Sequence, residues 1–221
     1  MDYDRKKAHY QTDHIAVQYD AIRWSKTSRR WSNYRKLITI GKAIDIANML
    51  NNQPIKNALD LPCGTGRIFP LLFSRNIQIT GADISSEMMK VARSKSIERS
   101  LQNGFIRCDA EYLPFRSSIF DSVFSIRFLF HLPVEVRQNA LKEMARISRQ
   151  WVIVDYRHKY TFKYLLKRLQ QILGLPTKSY RRVSRLDITE DFRKAELDLV
   201  KIFSTFPFFS DKWVILARKI K

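Results

Sequence analysis

The segment with the clearest chemical meaning spans residues 58–67 and reads ALDLPCGTGR. An apolar strand here leads into a turn with two glycines, Gly64 and Gly66, and then into a predicted helix. Glycines allow positive φ and let a ligand approach the backbone, and a helix N-terminus offers free N–H groups. The dinucleotide pattern G-x-G-x-x-G is incomplete because position 69 is Phe. Asp60, at the strand end, is placed to accept hydrogen bonds from an ammonium group, so the segment favours a cationic ligand without phosphate.

Three further acids, Asp83, Asp109 and Asp121, follow in chain order, each at a predicted strand end. Asp83 lies 17 residues after Gly66, where a carboxylate can take both hydroxyls of a ribose in a bidentate hydrogen bond. Each acid alone is more often a helix cap or a surface charge. Four acids in this order and at this spacing are much more specific.

Together these segments resemble the motifs of class I S-adenosylmethionine-dependent methyltransferases, in the large group that includes ubiquinone-biosynthesis enzymes. The resemblance covers about residues 15–155 and 195–218, and it implies S-adenosylmethionine as the cofactor. The stretch 120–126 resembles the central strand that lies beneath the sulfonium. The family usually has Gly where this chain has Pro62.

The resemblance also implies roles for individual residues. Asp83 would hold the ribose, while Ile84 and Met88 would pack on the adenine. Asp109 would meet the adenine amino group, with the Ala110 N–H available to a ring nitrogen. Upstream, the stretch 17–23 resembles an element that folds over the methionine part of the cofactor, and a plain amphipathic lead-in helix is the alternative interpretation. The predicted cofactor-binding residues are Tyr19, Arg23, Asp60, Pro62, Cys63, Gly64, Gly66, Asp83, Ile84, Met88, Asp109, Ala110 and Ile126.

His131 is the candidate catalytic residue. It lies in the sequence FHL, where the related enzymes often carry a His that faces the substrate. A hydroxyl or amine acceptor can need a proton removed, and a His side chain titrates in the right range to accept it. The alternative role is a hydrogen bond to the substrate or to the segment that contains Tyr19.

The two cysteines, Cys63 and Cys108, are expected to be neither catalytic nor disulfide-bonded. The dipeptide Pro62-Cys63 is similar to the nucleophile motif of cytosine C5 methyltransferases, but that nucleophile follows the fourth strand rather than lying in the first glycine loop. No CxxC motif or His/Cys cluster gives the spacing of a metal site, so no metal is predicted.

The elements that must position these residues alternate along the chain. Apolar runs predict strands at 58–61, 77–81, 104–107, 120–126, 151–155, 197–204 and 212–218, and helical spacing predicts helices at 34–50, 68–74, 86–93, 134–148 and 161–173. This order predicts an α/β fold: a Rossmann-like, doubly wound, mostly parallel seven-stranded sheet with an antiparallel C-terminal hairpin at one edge. We expect a single domain over residues 1–221. Residues 1–50 form a helical N-terminal cap, and the basic segment 157–186 is inserted as a lid between strands 5 and 6.

Basic residues are concentrated in patches. Forty Lys and Arg against 21 Asp and Glu give a net charge of +19. Residues 21–44 hold seven of these basic residues and residues 157–186 hold nine, and neither stretch contains an acid. Such patches favour anionic partners, namely nucleic acid, anionic lipid or a phosphorylated substrate, although a solvated basic surface without a specific partner is the alternative.

The predicted helix in the basic segment has an apolar stripe of Phe162, Leu165, Leu166, Leu169, Ile172 and Leu173. This is the pattern of a basic amphipathic helix that lies on a membrane surface, although such a stripe is more often packed in a core or lid. No apolar stretch approaches the roughly 20 residues of a membrane span, and no secretory signal is recognised. We expect a cytoplasmic protein with peripheral contact at the inner face of a membrane.

Three functions fit these observations. The first is a methyltransferase acting by in-line transfer on a small or lipid-anchored, anionic acceptor. The second is an RNA methyltransferase that uses the basic stretches along a phosphate backbone, and the third is a protein that binds the cofactor without turnover. The sequence contains no recognisable RNA-binding module, which favours the first.

Overall fold

The structure is a computed structural model, which describes residues 27–98, 103–175, 182–206 and 210–220. Its centre is a seven-stranded sheet with the order β3-β2-β1-β4-β5-β7-β6. Strands β1 to β5 pair in parallel, whereas β7 pairs antiparallel with both β5 and β6. The predicted fold class, including the C-terminal hairpin at the sheet edge, is confirmed. The strands are β1 Asn57–Asp60, β2 Gln78–Asp83, β3 Asn103–Arg107, β4 Phe120–Ser125, β5 Ser148–Arg157, β6 Leu197–Ser204 and β7 Lys212–Lys219.

Helices cover both faces of this sheet. One buried cluster contains Leu141 and Phe192, and a second contains Ile40 and Phe69 from helices on the other face. Strand β4 is buried along almost its whole length, as expected of a parallel strand covered on both faces. The described helices are α1 Thr27–Asn51, α2 Phe69–Phe73, α3 Ser86–Glu98, α4 Val134–Ile147, α5 Phe162–Ile172 and α6 Arg185–Lys194, with a short 3-10 helix at Leu129–His131.

Helix α1 is the described part of the predicted N-terminal cap. It begins at Thr27, seven residues before the predicted start, and packs on β5, β6 and β7. Residues 1–26, including Tyr19 and Arg23, lie outside the described residues. In the part of the chain that the structure describes, no helix is both long and apolar enough to cross a bilayer.

Helix α6 was not predicted, and it shortens the expected insertion. Ser184 caps this helix: its hydroxyl accepts from the Asp187 N–H, and the Asp187 side chain accepts from the Ser184 N–H in return. Arg185 and Leu186 therefore belong to a sheet-covering helix rather than to the insertion. At the other end, Arg157 is the last residue of β5.

The insertion that carries α5 is closed at its base. Val183 N donates to Arg157 O at 2.9 Å, and Lys159 N donates to Val183 O at 3.2 Å. His158 and Val183 thereby form a parallel bridge that continues the edge of β5. The chain leaves and re-enters the domain at one point, at the carboxyl end of β5.

All five parallel strands end at the same edge of the sheet. Strand β1 pairs with β2 on one side and β4 on the other, so the strand order reverses between β1 and β4. Doubly wound sheets bind ligands at the carboxyl ends of the strands beside such a reversal. The predicted site residues that follow β1, β2, β3 and β4 are brought to this edge.

Candidate active site

The loop that follows β1 is held by both neighbouring strands. Leu61 N donates to Phe124 O on β4 at 2.8 Å, and Cys63 N donates to Ala82 O on β2 at 2.8 Å. These bonds extend the pairing beyond the end of β1 and fix where the glycine turn begins.

The two glycines of the loop have different functions. Gly66 has a φ of +70°, and a Cβ there would lie 2.9 Å from Phe69 Cδ2, so a side chain would collide with α2. Gly64 has a φ of +51°, and a Cβ there would meet no atom within 4 Å. Gly66 therefore permits close packing, while Gly64 borders open space at the edge where a ligand is expected.

Asp83 connects the end of β2 to this loop. Its Oδ2 accepts from Gly64 N at 2.8 Å, and its Oδ1 accepts from Ser85 N at 2.9 Å. Each carboxylate oxygen can accept more than one hydrogen bond, so these contacts leave acceptor capacity for a ligand. Burial raises the pKa of Asp83, and the hydrogen bonds from Ser85 and Gly64 oppose that rise.

Asp60 is a second buried acid at the same edge. Its pKa is raised well above its ordinary value, first by burial and then by the nearby charge of Asp83, with Arg67 opposing. Two buried carboxylates, one of which raises the pKa of the other, create an environment that favours a cationic ligand.

The segment after β3 joins this group. Cys108 N donates to Asp83 O at 3.1 Å, and Asp109 Oδ1 accepts from Glu111 N at 3.2 Å. The pKa of the Cys108 thiol rises to about 11, because of burial and the charges of Asp83 and Asp109. Ala110 is buried immediately beside them. Asp83 and Asp109 thus both lie close enough to Cys108 to raise the pKa of its thiol.

Neither cysteine is activated. The pKa of Cys63 is raised well above its ordinary value by burial and by Asp83 and Asp60. The thiolate is the nucleophilic form of cysteine, so both thiols are poor nucleophiles at neutral pH. Among the described residues, no group of three His, Cys, Asp or Glu side chains is arranged to hold a metal ion.

The apolar residues of the predicted site differ in accessibility. Met88 is buried, while Pro62, Ile84 and Ile126 are half-buried. Ile126 directly follows β4, beside the point where the strand order reverses.

His131 is the last residue of the 3-10 helix that follows β4. Its backbone N–H donates to Phe128 O at 2.8 Å, and its half-buried ring lies 4.3 Å from the ring of Phe130. The guanidinium of Arg157 lies over the ring of Phe130, 4.9 Å from its centroid. His131 therefore lies between the carboxyl ends of β4 and β5.

The fourth predicted acid, Asp121, does not belong to this site. It lies at the amino end of β4 and accepts from the backbone N–H groups of Lys56 and Asn57 at 2.9 and 3.0 Å. Asp121 is the second residue of a strand, whereas the other three acids lie at or just after the carboxyl end of one, and this position is the signal that distinguishes it.

An acid that the sequence patterns did not single out also lies at this edge. Asp155 on β5 accepts from the ammonium of Lys36 on α1 and from the backbone N–H of Arg127. Arg127 has a φ of +68°, uncommon for a residue with a side chain, at the turn immediately after Ile126. The position of Asp155 at the end of a predicted strand was the available signal.

Parts of this chain are similar in sequence to known proteins. The family model described as "Methyltransferase domain" matches residues 59–152. A demethylmenaquinone methyltransferase from Thermus thermophilus is 32% identical over 133 residues, which cover 56% of this chain and 58% of that protein. An O-methyltransferase from Pyrenophora dematioidea is 30% identical over 118 residues, 52% of this chain and 43% of that protein. The chain spans about half the length of these curated relatives.

Solved structures with the same fold cover nearly the whole chain. Magnesium protoporphyrin IX methyltransferase from Synechocystis with bound SAH has a TM-score of 0.76 at 19% identity, over 99% of this chain and 100% of that chain. A S-adenosylmethionine-dependent methyltransferase from Clostridium acetobutylicum has a TM-score of 0.66 at 16% identity, over 100% of both chains.

The sheet order and the glycine loop between β1 and α2 define a class I methyltransferase fold. Residues 59–152 match the methyltransferase domain model, and the fold is that of solved S-adenosylmethionine-dependent methyltransferases; both findings confirm the resemblance seen in the sequence.

The residues of the site fit the cofactor of this class. S-adenosylmethionine carries a sulfonium and an ammonium, and the two buried acids Asp60 and Asp83 favour positive charge. The open space beside Gly64 leaves room for a ligand at the loop backbone.

Proposed function

We propose that this chain transfers a methyl group from S-adenosylmethionine to a small or lipid-anchored acceptor that carries negative charge. The observation that carries the proposal is the grouping of Asp60, Gly64 and Asp83 at the carboxyl edge of the sheet. A carboxylate for an ammonium, an open glycine turn and a carboxylate for a ribose are the groups that this cofactor requires.

Each strand end would hold one part of the cofactor. Asp60 would pair with the ammonium, and Asp83 would bind the ribose hydroxyls. Asp109 and Ala110 would bind the adenine edge, with Ile84 and Met88 packed against its ring. When bound, S-adenosylmethionine supplies a methyl group already activated for in-line displacement from its sulfonium. The chain then has to align the acceptor with that methyl group and exclude water.

His131 is our candidate for the proton acceptor. It follows the central strand β4 and is half-buried, so an acceptor molecule beside Ile126 could reach its ring. A positioned His typically contributes about 10²–10⁴-fold to a reaction that requires proton transfer. If the acceptor needs no proton removed, His131 would hydrogen-bond the acceptor instead.

We expect binding of S-adenosylhomocysteine, the unreactive product, to release protons. The pKa of Asp60 is raised in the free protein. A fraction of the molecules therefore carries a protonated Asp60 at pH values above about 4, the ordinary pKa of Asp. An ammonium favours the carboxylate, so binding expels the proton and affinity falls as the pH is lowered towards that range. Calorimetry at mildly acidic pH, in buffers with different ionisation enthalpies, measures this release. In Asp60→Asn the release should diminish, and an undiminished release there would contradict the role of Asp60.

A small acceptor agrees with the names of the similar proteins. The Thermus relative is named for demethylmenaquinone, and the Synechocystis structure is that of an enzyme for magnesium protoporphyrin IX. Both are small molecules rather than nucleic acids, which supports a small or lipid-like acceptor here.

Helix α5 supports contact with an anionic membrane surface. Leu165, Leu169 and Ile172 are 57%, 50% and 78% exposed, so the apolar stripe does not pack in the core. Thr161 caps the start of the helix and Gly174, with a φ of +71°, follows its end. The segment 157–186 adds nine basic residues and no acid. An exposed apolar stripe with basic flanks is typical of a helix that lies in the interface plane of anionic lipid.

Changing Leu165, Leu169 and Ile172 together to Ser should abolish most of this membrane contact. We expect at least about tenfold weaker binding to vesicles of phosphatidylcholine and phosphatidylglycerol in equal parts, because apolar burial contributes to interfacial binding. Since the three side chains are exposed, the free energy of unfolding should change little. Vesicle co-sedimentation and thermal unfolding measure the two properties.

A matched control removes the same amount of exposed apolar surface elsewhere. Met49, Leu50 and Ile97 are 72%, 50% and 71% exposed on α1 and α3. Their change to Ser should leave vesicle binding at the wild-type level. Equal losses in both variants would argue against α5 as the contact site.

The alternative functions predict different partners. RNA methylation requires binding that weakens steeply with salt, because neutralised phosphates release counterions.

Incubation with methyl-labelled S-adenosylmethionine and cell extract separated into lipid, RNA and small-molecule fractions tests all three functions. Label in the lipid or small-molecule fraction supports the proposal, and label in RNA overturns it. No label in any fraction, with cofactor bound, favours a non-catalytic binding protein.

A further inference from the structure

Cations gather where β4 and β5 end and β7 begins. They come from α1, the turn after β4, the end of β5, the base of the insertion and the start of β7. This cation cluster consists of Lys36, Arg127, Arg157, Arg182 and Lys212, together with the carboxylates of Asp155 and Asp211.

The first half of the cluster surrounds Asp155. The ammonium of Lys36 donates to one oxygen of Asp155, and the backbone N–H of Arg127 donates to the other. Lys212 Nζ donates to the hydroxyl of Ser32 on α1. These contacts hold α1 against the carboxyl ends of the strands.

The second half shares a single carboxylate. Asp211 Oδ2 lies 3.1 Å from Arg182 Nη2 and 3.6 Å from Arg157 Nη1. Only 9% of the Arg182 side chain is exposed. Its buried Nε makes no hydrogen bond to any other residue that the structure describes. One acid therefore lies near two guanidinium groups, and the Arg182 Nε is a buried donor without a hydrogen-bond partner among the described residues.

Positive charge exceeds negative charge within this group. The described residues of the cluster comprise five cations and two carboxylates. Burial lowers the pKa of Lys36 to about 8. Burial and the neighbouring Arg157 and Arg127 lower that of Lys212. Like charges in a partly buried region are unfavourable, and a bound anion would offset that repulsion.

The cluster adjoins the candidate proton acceptor. The Arg157 guanidinium lies over the ring of Phe130, and the ring of His131 lies 4.3 Å from that same ring. An anion held by Arg157 and Lys212 would therefore lie on the acceptor side of the site, across β4 from Asp60 and Asp83.

We propose that the cation cluster is a binding site for an oxyanion of the acceptor, a carboxylate or a phosphate, which it holds beside His131. Guanidinium and ammonium groups bind both kinds of oxyanion through charge-assisted hydrogen bonds. That the anion belongs to the acceptor rests on the proposed methyl transfer. That the cluster binds an anion does not depend on it.

Thermal unfolding in the presence of small anions tests this site. Wild-type protein is titrated with inorganic phosphate in one arm and benzoate in the other, with ionic strength held constant by sodium chloride. We expect a saturable rise in Tm in at least one arm, and the stronger arm identifies phosphate or carboxylate as the preferred group. In Lys212→Gln the dissociation constant should increase at least about tenfold. Arg157→Gln provides the same test if Lys212→Gln does not fold.

The control is Lys42→Gln, which removes an exposed cation from α1 and should bind the anions as the wild type does. Absence of a saturable effect in the wild type, or equal effects in Lys212→Gln and Lys42→Gln, would overturn the proposal. Calorimetry with S-adenosylhomocysteine separates this failure from a failure of the proposed function. If the anion binds and S-adenosylhomocysteine does not, methyl transfer fails while the oxyanion site stands.

Discussion

Replacing Asp83 with Ala should weaken binding of S-adenosylhomocysteine roughly 30- to 150-fold, a loss of about 2–3 kcal/mol. The expected cause is the loss of a charge-assisted, bidentate contact with the ribose hydroxyls. A second cause adds to it, since the carboxylate also accepts from the N–H groups of Gly64 and Ser85. Removing the carboxylate leaves the Gly64 turn, which borders the ligand space, without this hydrogen bond. Isothermal titration calorimetry measures the affinity directly.

Asp121→Ala is the matched control for this experiment. Asp121 also accepts from two backbone N–H groups, those of Lys56 and Asn57, but at the amino edge of the sheet. Its loss should lower the free energy of unfolding by about 1–3 kcal/mol and leave cofactor affinity unchanged. If Asp83→Ala binds S-adenosylhomocysteine with wild-type affinity, Asp83 does not hold the ribose.

Local sequence patterns predicted all seven strands, because each is an apolar run bounded by turn residues. The end of β5 was predicted two residues early, at 155 instead of Arg157. Its extension depends on pairing of Tyr156 with Trp213 and of Arg157 with Lys212. Those partners lie more than 50 residues later in the chain, so the local pattern carries no sign of them.

Helix α6 was missed because its local signals are weak. Only Ile188, Asp191 and Phe192 of its ten residues are buried, so its apolar periodicity is sparse. Its capping box uses Asp187 where Glu or Gln is more usual. The basic residues that precede the helix also favoured the prediction of one continuous insertion over 157–186.

Sequence periodicity could not decide whether an apolar stripe is buried. Helices α4 and α5 both show apolar residues at helical spacing. Leu141 and Met144 of α4 are fully buried, whereas Leu165 and Leu169 of α5 are exposed. Helix α4 packs in the core on the sheet, whereas α5 belongs to the insertion whose base is closed at Arg157 and Val183. Whether an apolar stripe is buried depends on its neighbours in space, which the periodicity of the stripe does not specify.

The charges at the carboxyl edge of the sheet are divided into two halves. Asp60 and Asp83 are the last residues of β1 and β2, and Asp109 follows β3, whereas the cation cluster lies around the ends of β4 and β5 and the start of β7. This division suits a cationic methyl donor on one side and an anionic acceptor on the other. It also explains how a chain with a net charge of +19 can favour a cationic ligand locally.

His131 lies where these two halves meet, and its replacement by Ala should reduce kcat by roughly 10²-fold or more if it accepts a proton. Its ring adjoins that of Phe130, over which the guanidinium of Arg157 lies. Affinity for S-adenosylhomocysteine should therefore stay within about twofold of the wild type. Rates with labelled cofactor and the active acceptor fraction give kcat, and calorimetry gives the affinity.

His131→Gln distinguishes a base from a hydrogen-bonding residue, because Gln donates and accepts hydrogen bonds but does not titrate near neutral pH. If His131 is the base, His131→Gln should be as slow as His131→Ala, and the acidic limb of the kcat–pH profile should disappear in both variants. If Gln restores the rate, the side chain orients the acceptor without taking its proton. Wild-type turnover in His131→Ala would exclude both roles and leave His131 without a part in the reaction.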